Sequence, residues 1–443
     1  MIQIKMKQFV YIAIIACCSL SFGQNKKWTL KACVDYALEH NITVQRSENQ
    51  LKINEQDIKA AQGNKLPGVR ANISQSLSLG QAELFPGTFV DRTFHGTNAS
   101  IGVSQTVFDG FRNTYFYKQS QLNFEANNLE LSRIKDDISL NVVNAYLNVL
   151  FNQENLEIAQ AQYDFSLQQL KQVKNLVDAG VQPKANIYDA EATVSSDAQN
   201  LTVAENNLNL ALLMLSQLLQ VPFDGFEVEV TTINNPSEAL LYNNVQPVLD
   251  MAFQNRNEIK FAEKNVENAE LSTKISKGGF LPSLTFGYSF NSAATFSNLS
   301  ESKSFFQQLN EQKGHSFNLN LSIPIFSRFQ NKTAVAKSLI QEENSKLDLE
   351  QAKLDLESTI QRAFTDAQAA FKTYQAAKKS LVSQELAFNN ATERYNIGAM
   401  TTFDLEQARV RLINAQSSLI NAKYDFVFKT KVLDFYMGKP IIN

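Results

Sequence analysis

The sequence predicts two copies of one unit, each joining a pair of membrane-length β-strands to a very long helical hairpin. Three observations carry this. Residues 101–113, IGVSQTVFDGFRN, return as residues 319–331, LNLSIPIFSRFQN. Ser104 and Ser322, Phe108 and Phe326, Phe111 and Phe329, and Asn113 and Asn331 all keep one offset of 218 residues. That register continues through Ala145 and Ala363, Gly180 and Gly398, Ala190 and Ala408, Leu215 and Leu433, and Pro222 and Pro440, which marks an internal duplication. Second, residues 111–179, 184–221, 325–397 and 399–437 contain neither glycine nor proline and place Leu, Ala, Gln, Glu and Lys at helical spacing. Third, two segments alternate apolar and polar residues with period two. The boundaries that follow are a leader at 1–23, a first repeat at 24–222, a connection at 223–246 and a second repeat at 247–443. Strand hairpins are expected at about 68–107 and 283–324, and long helical hairpins at about 111–221 and 325–437.

The chain begins MIQIKMKQFVYIAIIACCSLSFGQ, with Lys5 and Lys7, an apolar run from Phe9 to Ile15, then Ser21 and Gly23. This is a secretory signal layout, too short and too early for a spanning helix. Cleavage near Gly23 is one outcome. The other follows from Ile14-Ile15-Ala16-Cys17, which loosely fits a lipoprotein signal and would leave an acylated Cys17. Beyond the leader no window of about 20 apolar residues appears, which excludes helical membrane spans and leaves a β-barrel open.

A shorter amphipathic helix then ends at Leu66-Pro67-Gly68 in the first copy and at Gly278-Gly279-Phe280-Leu281-Pro282 in the second. Val69, Ala71, Ile73, Leu77 and Leu79 alternate with polar residues, as do Leu284, Phe286, Tyr288 and Phe290. Ala99, Ile101, Val103 and Val107, with Phe317, Leu319, Leu321 and Ile323, supply the return strands. Four strands of about ten residues are expected, the length of a tilted membrane strand, joined by long polar loops near 80–95 and 291–314. Four strands cannot close a membrane barrel, and an open edge has no place in lipid, so one chain would not suffice. Alternating strands also build small soluble sheets. That use would make the chain a soluble periplasmic or surface coiled-coil structural protein. Phe108, Phe111, Tyr115, Phe116 and Tyr117, matched by Phe326 and Phe329, suit either an interfacial girdle or packing between sheet and helices.

As one helix, the stretch 111–179 would be roughly 100 Å long. Leu140, Val143, Leu147 and Leu150, then Leu167, Leu170, Val173 and Val177, form a narrow apolar stripe among Asn, Gln and Ser, so helical neighbours are required. The stops are Asp178-Ala179-Gly180-Val181-Gln182-Pro183 and Tyr395-Asn396-Ile397-Gly398. Glycine there supplies a left-handed C-terminal cap, and Pro183 suits the first turn of the next helix.

Composition narrows the function classes. Lys and Arg number 41 against 44 Asp and Glu, a formal charge of −3 with the charges mixed, so there is no basic footprint for nucleic acid. Cys17 and Cys18 lie in the leader, leaving Cys33, and the histidines are His40, His95 and His315. Neither a disulfide framework nor a metal site is expected, and no cofactor. No Gly-x-Ser-x-Gly elbow, phosphate loop or His-Glu-x-x-His is present, so no enzyme is expected. Carboxylates occur as helical charge pairs such as Glu342 and Lys346.

From about residue 28 to 440 the chain resembles the TolC-type outer membrane efflux proteins. The resemblance rests on Trp28-Thr29-Leu30 with Ala37-Leu38-Glu39-His40-Asn41, the two Leu-Pro breaks, the paired strand-to-helix segments, and the turn motifs Gly180 to Ala190 and Gly398 to Ala408. The family implies a homotrimer in the outer membrane of a Gram-negative bacterium. Its three chains of four strands form a twelve-stranded transmembrane β-barrel, continued by an all-α helical barrel across the periplasm. It also implies a passive conduit for tripartite efflux or type I secretion, a periplasmic adaptor protein as partner, and an inner-membrane transporter as the source of energy. The duplication would then give six similar sectors around one bore.

By the same resemblance the two helical turns form the periplasmic tip. Ala179, Gly180 and Val181, with Ile397, Gly398 and Ala399, would face the adaptor, or the glycines serve as caps alone. Six residues after the turn glycine the family often has an Asp at the constricted mouth. Asp404 stands there in the second copy and Asn186 in the first, with Asp189 and Gln407 about one turn further on. Threefold symmetry would make Asp404 a carboxylate ring that favours cations. As a single residue it would instead be an N-terminal macrodipole contact. Tyr395 matches a position used in the family's closed-state contacts, while Met400 stands where a polar partner would be expected.

Overall fold

The computed structural model describes residues 27–230, 242 and 244–439. The leader with Cys17 and Cys18 lies outside the described residues, as do 231–241 and 243 of the connection. Nine helices and four strands follow one another within the described residues. The first copy contributes α1 (Leu30–His40), α2 (Ile42–Gly63), β1 (Gly68–Phe85), β2 (Thr88–Phe108), α3 (Arg112–Asp178) and α4 (Ala185–Leu219). The second contributes α5 (Gln246–Asn255), α6 (Asn257–Gly278), β3 (Ser283–Ser297), α7 (Phe305–Glu311), β4 (Gly314–Ser322), α8 (Gln330–Asn396) and α9 (Thr402–Tyr436). The long helices match in length across the copies, 67 residues for α3 and α8 and 35 for α4 and α9. No helix of the described residues is long and apolar enough to cross a membrane.

The chain divides into two compact units. One comprises residues 47–130 and 257–352 and contains the antiparallel sheet, in the order β1-β2-β3-β4. Its pairing separates two faces. Val69, Val103, Tyr288 and Phe317 share a row, as do Ala71, Ile101, Phe290 and His315. The row between them holds Arg70, Gly102, Ser289 and Ser316, and the rows on either side hold Gly68, Ser104, Gly287 and Asn318, and Asn72, Ser100 and Asn291. One face is therefore mainly aliphatic and aromatic, and the other is mainly polar, the period-two consequence of strand geometry. The aliphatic face is bare over β1 and β4, with Ile73 81% exposed and Phe317 73%, whereas Ser292 and Ala294 of β3 on the same face are buried.

The strands correct the expected lengths and loops. β1, β2 and β3 run 18, 21 and 15 residues, longer than the expected ten, and β4 at 9 residues is close to it. The segment 80–95 is strand nearly throughout, reversing at Pro86-Gly87, where Gly87 has φ +81° and its N–H donates to Glu83 Oε1 at 2.7 Å. Gln81 pairs with Asp91 across the hairpin, so polarity there marks a solvated hairpin end and not a loop. Much of 291–314 is also ordered. β3 continues to Ser297, and α7 caps the stretch that the shorter β4 leaves unpaired: Gln308 Oε1 accepts the Thr295 N–H at 2.8 Å, and the Ser292 hydroxyl donates to the Leu309 carbonyl at 2.6 Å.

The repeated phrase that joins strand to helix has a mechanical reason. Gly110 and Phe111 take φ +72° and +65°, and Arg328 and Phe329 take +51° and +64°, so both copies turn through two left-handed residues. Asp109 Oδ2 accepts the Asn113 N–H at 2.7 Å and Ser327 Oγ accepts the Asn331 N–H at 3.3 Å, covering free donors at the start of each long helix. Gly110 is further constrained, because a Cβ there would lie 2.5 Å from the Gly278 carbonyl oxygen. The aromatic pairs Phe108–Phe111 and Phe326–Phe329 meet edge to face, and Phe111, Phe326 and Phe329 remain exposed, so those three are not core. The helices of this unit are joined largely by amides. Gln119 Nε2 donates to Asn268 Oδ1 and Ser272 Oγ, both at 2.7 Å, Asn127 donates to Asn54 at 2.8 Å, and Asn268 bonds Asn123.

The other unit comprises residues up to 46, 131–256 and 353 onward. Here the apolar stripes are buried: Val142, Val143, Tyr146 and Leu150 of α3, Leu215 and Leu219 of α4, Ile360 of α8 and Leu433 of α9. Phe371 and Tyr374 pack on Phe426 with ring centroids 5.3 and 5.9 Å apart, which fixes α8 against α9. Trp28 packs on Tyr36 and Phe226, and its backbone forms a parallel bridge with Val228. The Tyr146 hydroxyl donates to the Glu229 carbonyl at 2.7 Å. Cys33 is fully buried, and burial pushes its thiol up to about 12, so it behaves as a small apolar residue.

Candidate functional site

The turns α3–α4 and α8–α9 close with the same bond pattern. The Gly180 N–H donates to the Val177 carbonyl and Val181 to Leu176, and the Gly398 N–H donates to Tyr395 and Ala399 to Arg394. Both are Schellman motifs with a left-handed glycine at φ +73°, which explains glycine at each turn. A Cβ at either position would meet no atom within 4 Å, so backbone conformation alone selects glycine. Around them Ala179, Val181, Ile397 and Ala399 are exposed, Val181 at 69% and Ile397 at 79%.

The two turns differ in how the next helix begins. Lys184 precedes α4 and makes no side-chain cap. Thr401 caps α9, accepting the Asp404 N–H at 3.2 Å while its hydroxyl donates to Asp404 Oδ2 at 2.7 Å. The exchange resembles a capping box, with Asp at the third helical position. Thr401→Ala is expected to lower stability by about 1 kcal/mol, read as a lower unfolding midpoint by circular dichroism. An unchanged midpoint would show that the cap is dispensable.

The expected site residues are partly brought together. Asp404 and Gln407 are exposed and line one concavity of about 680 Å³ with Arg394, Gly398, Ala399, Met400, Thr401 and Arg411. Asn186 and Asp189 of α4 do not line it. Asn186 is half-buried and donates to Gln182 Oε1 at 3.2 Å, and Asp189 is exposed. Tyr395 packs with Phe388 and Met400 around Ala391, Leu405 and Ala408, and its buried hydroxyl has no hydrogen-bond partner. Met400 therefore fills the space with a thioether side chain and completes no hydrogen-bonded contact.

Sequence reasoning missed the main polar network of this unit. Arg409 is buried, donating to Asp197 at 2.8 and 3.3 Å, to Glu406 at 2.6, 2.9 and 3.1 Å, and to Gln162 at 3.2 Å. Burial alone would lower the guanidinium, and the Glu406 and Asp197 carboxylates outweigh it, so its pKa is raised. The one available signal was an arginine beside Leu405 and Ala408 on the buried face. Its partner Asp197 is 212 residues away in sequence.

Among the described residues no group of His, Cys, Asp and Glu is arranged to hold a metal ion. The outer membrane efflux protein family model matches residues 33–220 and 248–439. The chain belongs to that family. Outer membrane protein TolC of Vibrio cholerae is 21% identical over 299 residues, spanning 68% of this chain and 67% of that protein. Outer membrane protein TolC of Escherichia coli is 23% identical over 375 residues, spanning 82% and 74%. The solved structure of CusC superposes with a TM-score of 0.78 at 18% identity, covering 95% of this chain and 96% of that one. This outer membrane efflux family protein is thus an outer membrane channel component of export systems, and both family and fold are those of channel proteins.

Proposed function

We propose that three copies of this outer membrane channel close into one passive export duct. The observation that carries the reading is the sheet itself. β1 and β4 each keep an edge unpaired within the chain, and one face is mainly apolar, bare over those two strands, while the other is mainly polar. Edges of this kind have no place in lipid until they are paired, and pairing β4 of one copy with β1 of the next closes a ring. Three four-stranded sheets supply twelve strands, within the range of outer membrane barrels. The two copies of strand hairpin and helical hairpin, 24–222 and 247–443, then act as six sectors around the bore.

The helical turns are the docking tip for a periplasmic adaptor, through Ala179, Gly180 and Val181 and through Ile397, Gly398 and Ala399. Asp404, Gln407, Asn186, Asp189 and Tyr395 surround the mouth that opens and shuts. Energy reaches the duct from an inner-membrane transporter through that adaptor. Light scattering coupled to gel filtration of the protein extracted in detergent from outer membranes tests the assembly. The expected mass is that of three chains, and a monomer or dimer would overturn it.

A further inference from the structure

The exposed face of α9 is polar at every step of a 3-4 spacing: Asp404, Gln407, Arg411, Asn414, Ser418, Asn421 and Asp425 are all exposed. The adjoining face carries Leu405, Ala408, Ala415 and Ala422, which are buried. Phe403 and Val410 are also exposed on α9, and the seven polar positions form a stripe of about six turns that borders water, as the wall of a conduit does. Within it Arg411 is the basic member, and Arg394 in the last turn of α8 lines the same concavity. The carboxylate in that concavity is Asp404, already engaged by the Thr401 hydroxyl. Asp178 and Asp189 of the first turn do not line it. Within that concavity two guanidinium groups stand against one carboxylate, and Asp189 is the further carboxylate at the mouth.

The duplication shows that folding does not require those charges. The first helical hairpin has Leu176 where the second has Arg394, and Thr193 where the second has Arg411, and it builds the same Schellman turn between helices of equal length.

We infer that Arg394 and Arg411 are specificity-determining residues that make the mouth of the duct favour anionic cargo, solutes bearing carboxylate or phosphate groups. The inference rests on reading the turns as the mouth. In a threefold assembly Arg411 forms a ring about 10 Å along α9 from Asp404. A ring of cations in a narrow wet bore raises the local concentration of anions, whereas Asp404 alone would favour cations. Asp404 then tunes the selectivity and does not set its sign.

The test is the reversal potential of the full-length protein in planar lipid bilayers under a potassium chloride gradient. The variant Arg394→Leu with Arg411→Thr carries the first hairpin's own residues and is expected to move the reversal potential toward the potassium equilibrium value. Asp404→Asn is expected to move it the opposite way. A double variant identical to the wild type while Asp404→Asn shifts would overturn the inference and leave the mouth in place. No shift in either would remove the mouth reading as well. For channels that stay shut, calorimetric titration of the detergent-solubilised protein with pyrophosphate reads the same site. Binding lost in the double variant supports the inference, and equal heats or no binding to the wild type overturn it.

Discussion

Replacing Arg409 by alanine is expected to destabilise the helical unit by about 3–5 kcal/mol, because it strands a carboxylate that the fold has taken out of water. Asp197 is 6% exposed at its side chain, and Arg409 supplies both of its ion-pair bonds. Glu406 is 36% exposed and can return to solvent, so most of the cost falls on Asp197. The double variant Arg409→Ala with Asp197→Ala should therefore lose less than Arg409→Ala alone, which a summed pair of independent losses would not do. Denaturant unfolding of the detergent-solubilised protein followed by circular dichroism measures both. A single-variant loss below about 1 kcal/mol would place the pair among exposed ion pairs of little consequence. The same network joins α9 to α3 through Gln162 and to α4 through Asp197, so its loss is expected to loosen the second hairpin from the first.

Leu319 and Asn320 are neighbours on β4, both exposed in the chain and on opposite faces of the sheet. Leu319→Arg is expected to cost about 2–4 kcal/mol in each chain where the residue sits near the bilayer midplane, and Asn320→Arg little. The readout is the fraction of protein assembled in outer membranes as a heat-resistant oligomer, which should fall sharply for the first variant. Equal assembly of the two would mean that the aliphatic face does not meet lipid. Nothing in local backbone preference distinguishes the two sites, so the contrast reads the surroundings of each face directly.

The same two residues show why the sheet's faces were legible in advance. Alternation along a strand is local, and a face follows from parity alone. The hairpin ends were not legible, because the sheet-forming Gln81 and Asp91 look like loop residues until their cross-strand pairing is seen. At the turns, Gly180 and Gly398 announced themselves, since only glycine takes φ +73° without strain. Asp404 was named as a candidate through the family resemblance, six residues after that glycine, but its bond to Thr401 and its place beside Arg394 and Arg411 were not legible.

The sequence by itself determined the duplication, the alternation of strand and helix, the helical stops and the family, because each depends on residues within a few positions or on one fixed offset. The tertiary structure alone decided that Arg409 finds Asp197, that Tyr395 packs against Met400, and that α9 turns seven polar residues toward water. Those outcomes depend on which helix faces pack together. Helices rich in Asn, Gln and Ser carry too narrow an apolar stripe to announce that choice from sequence.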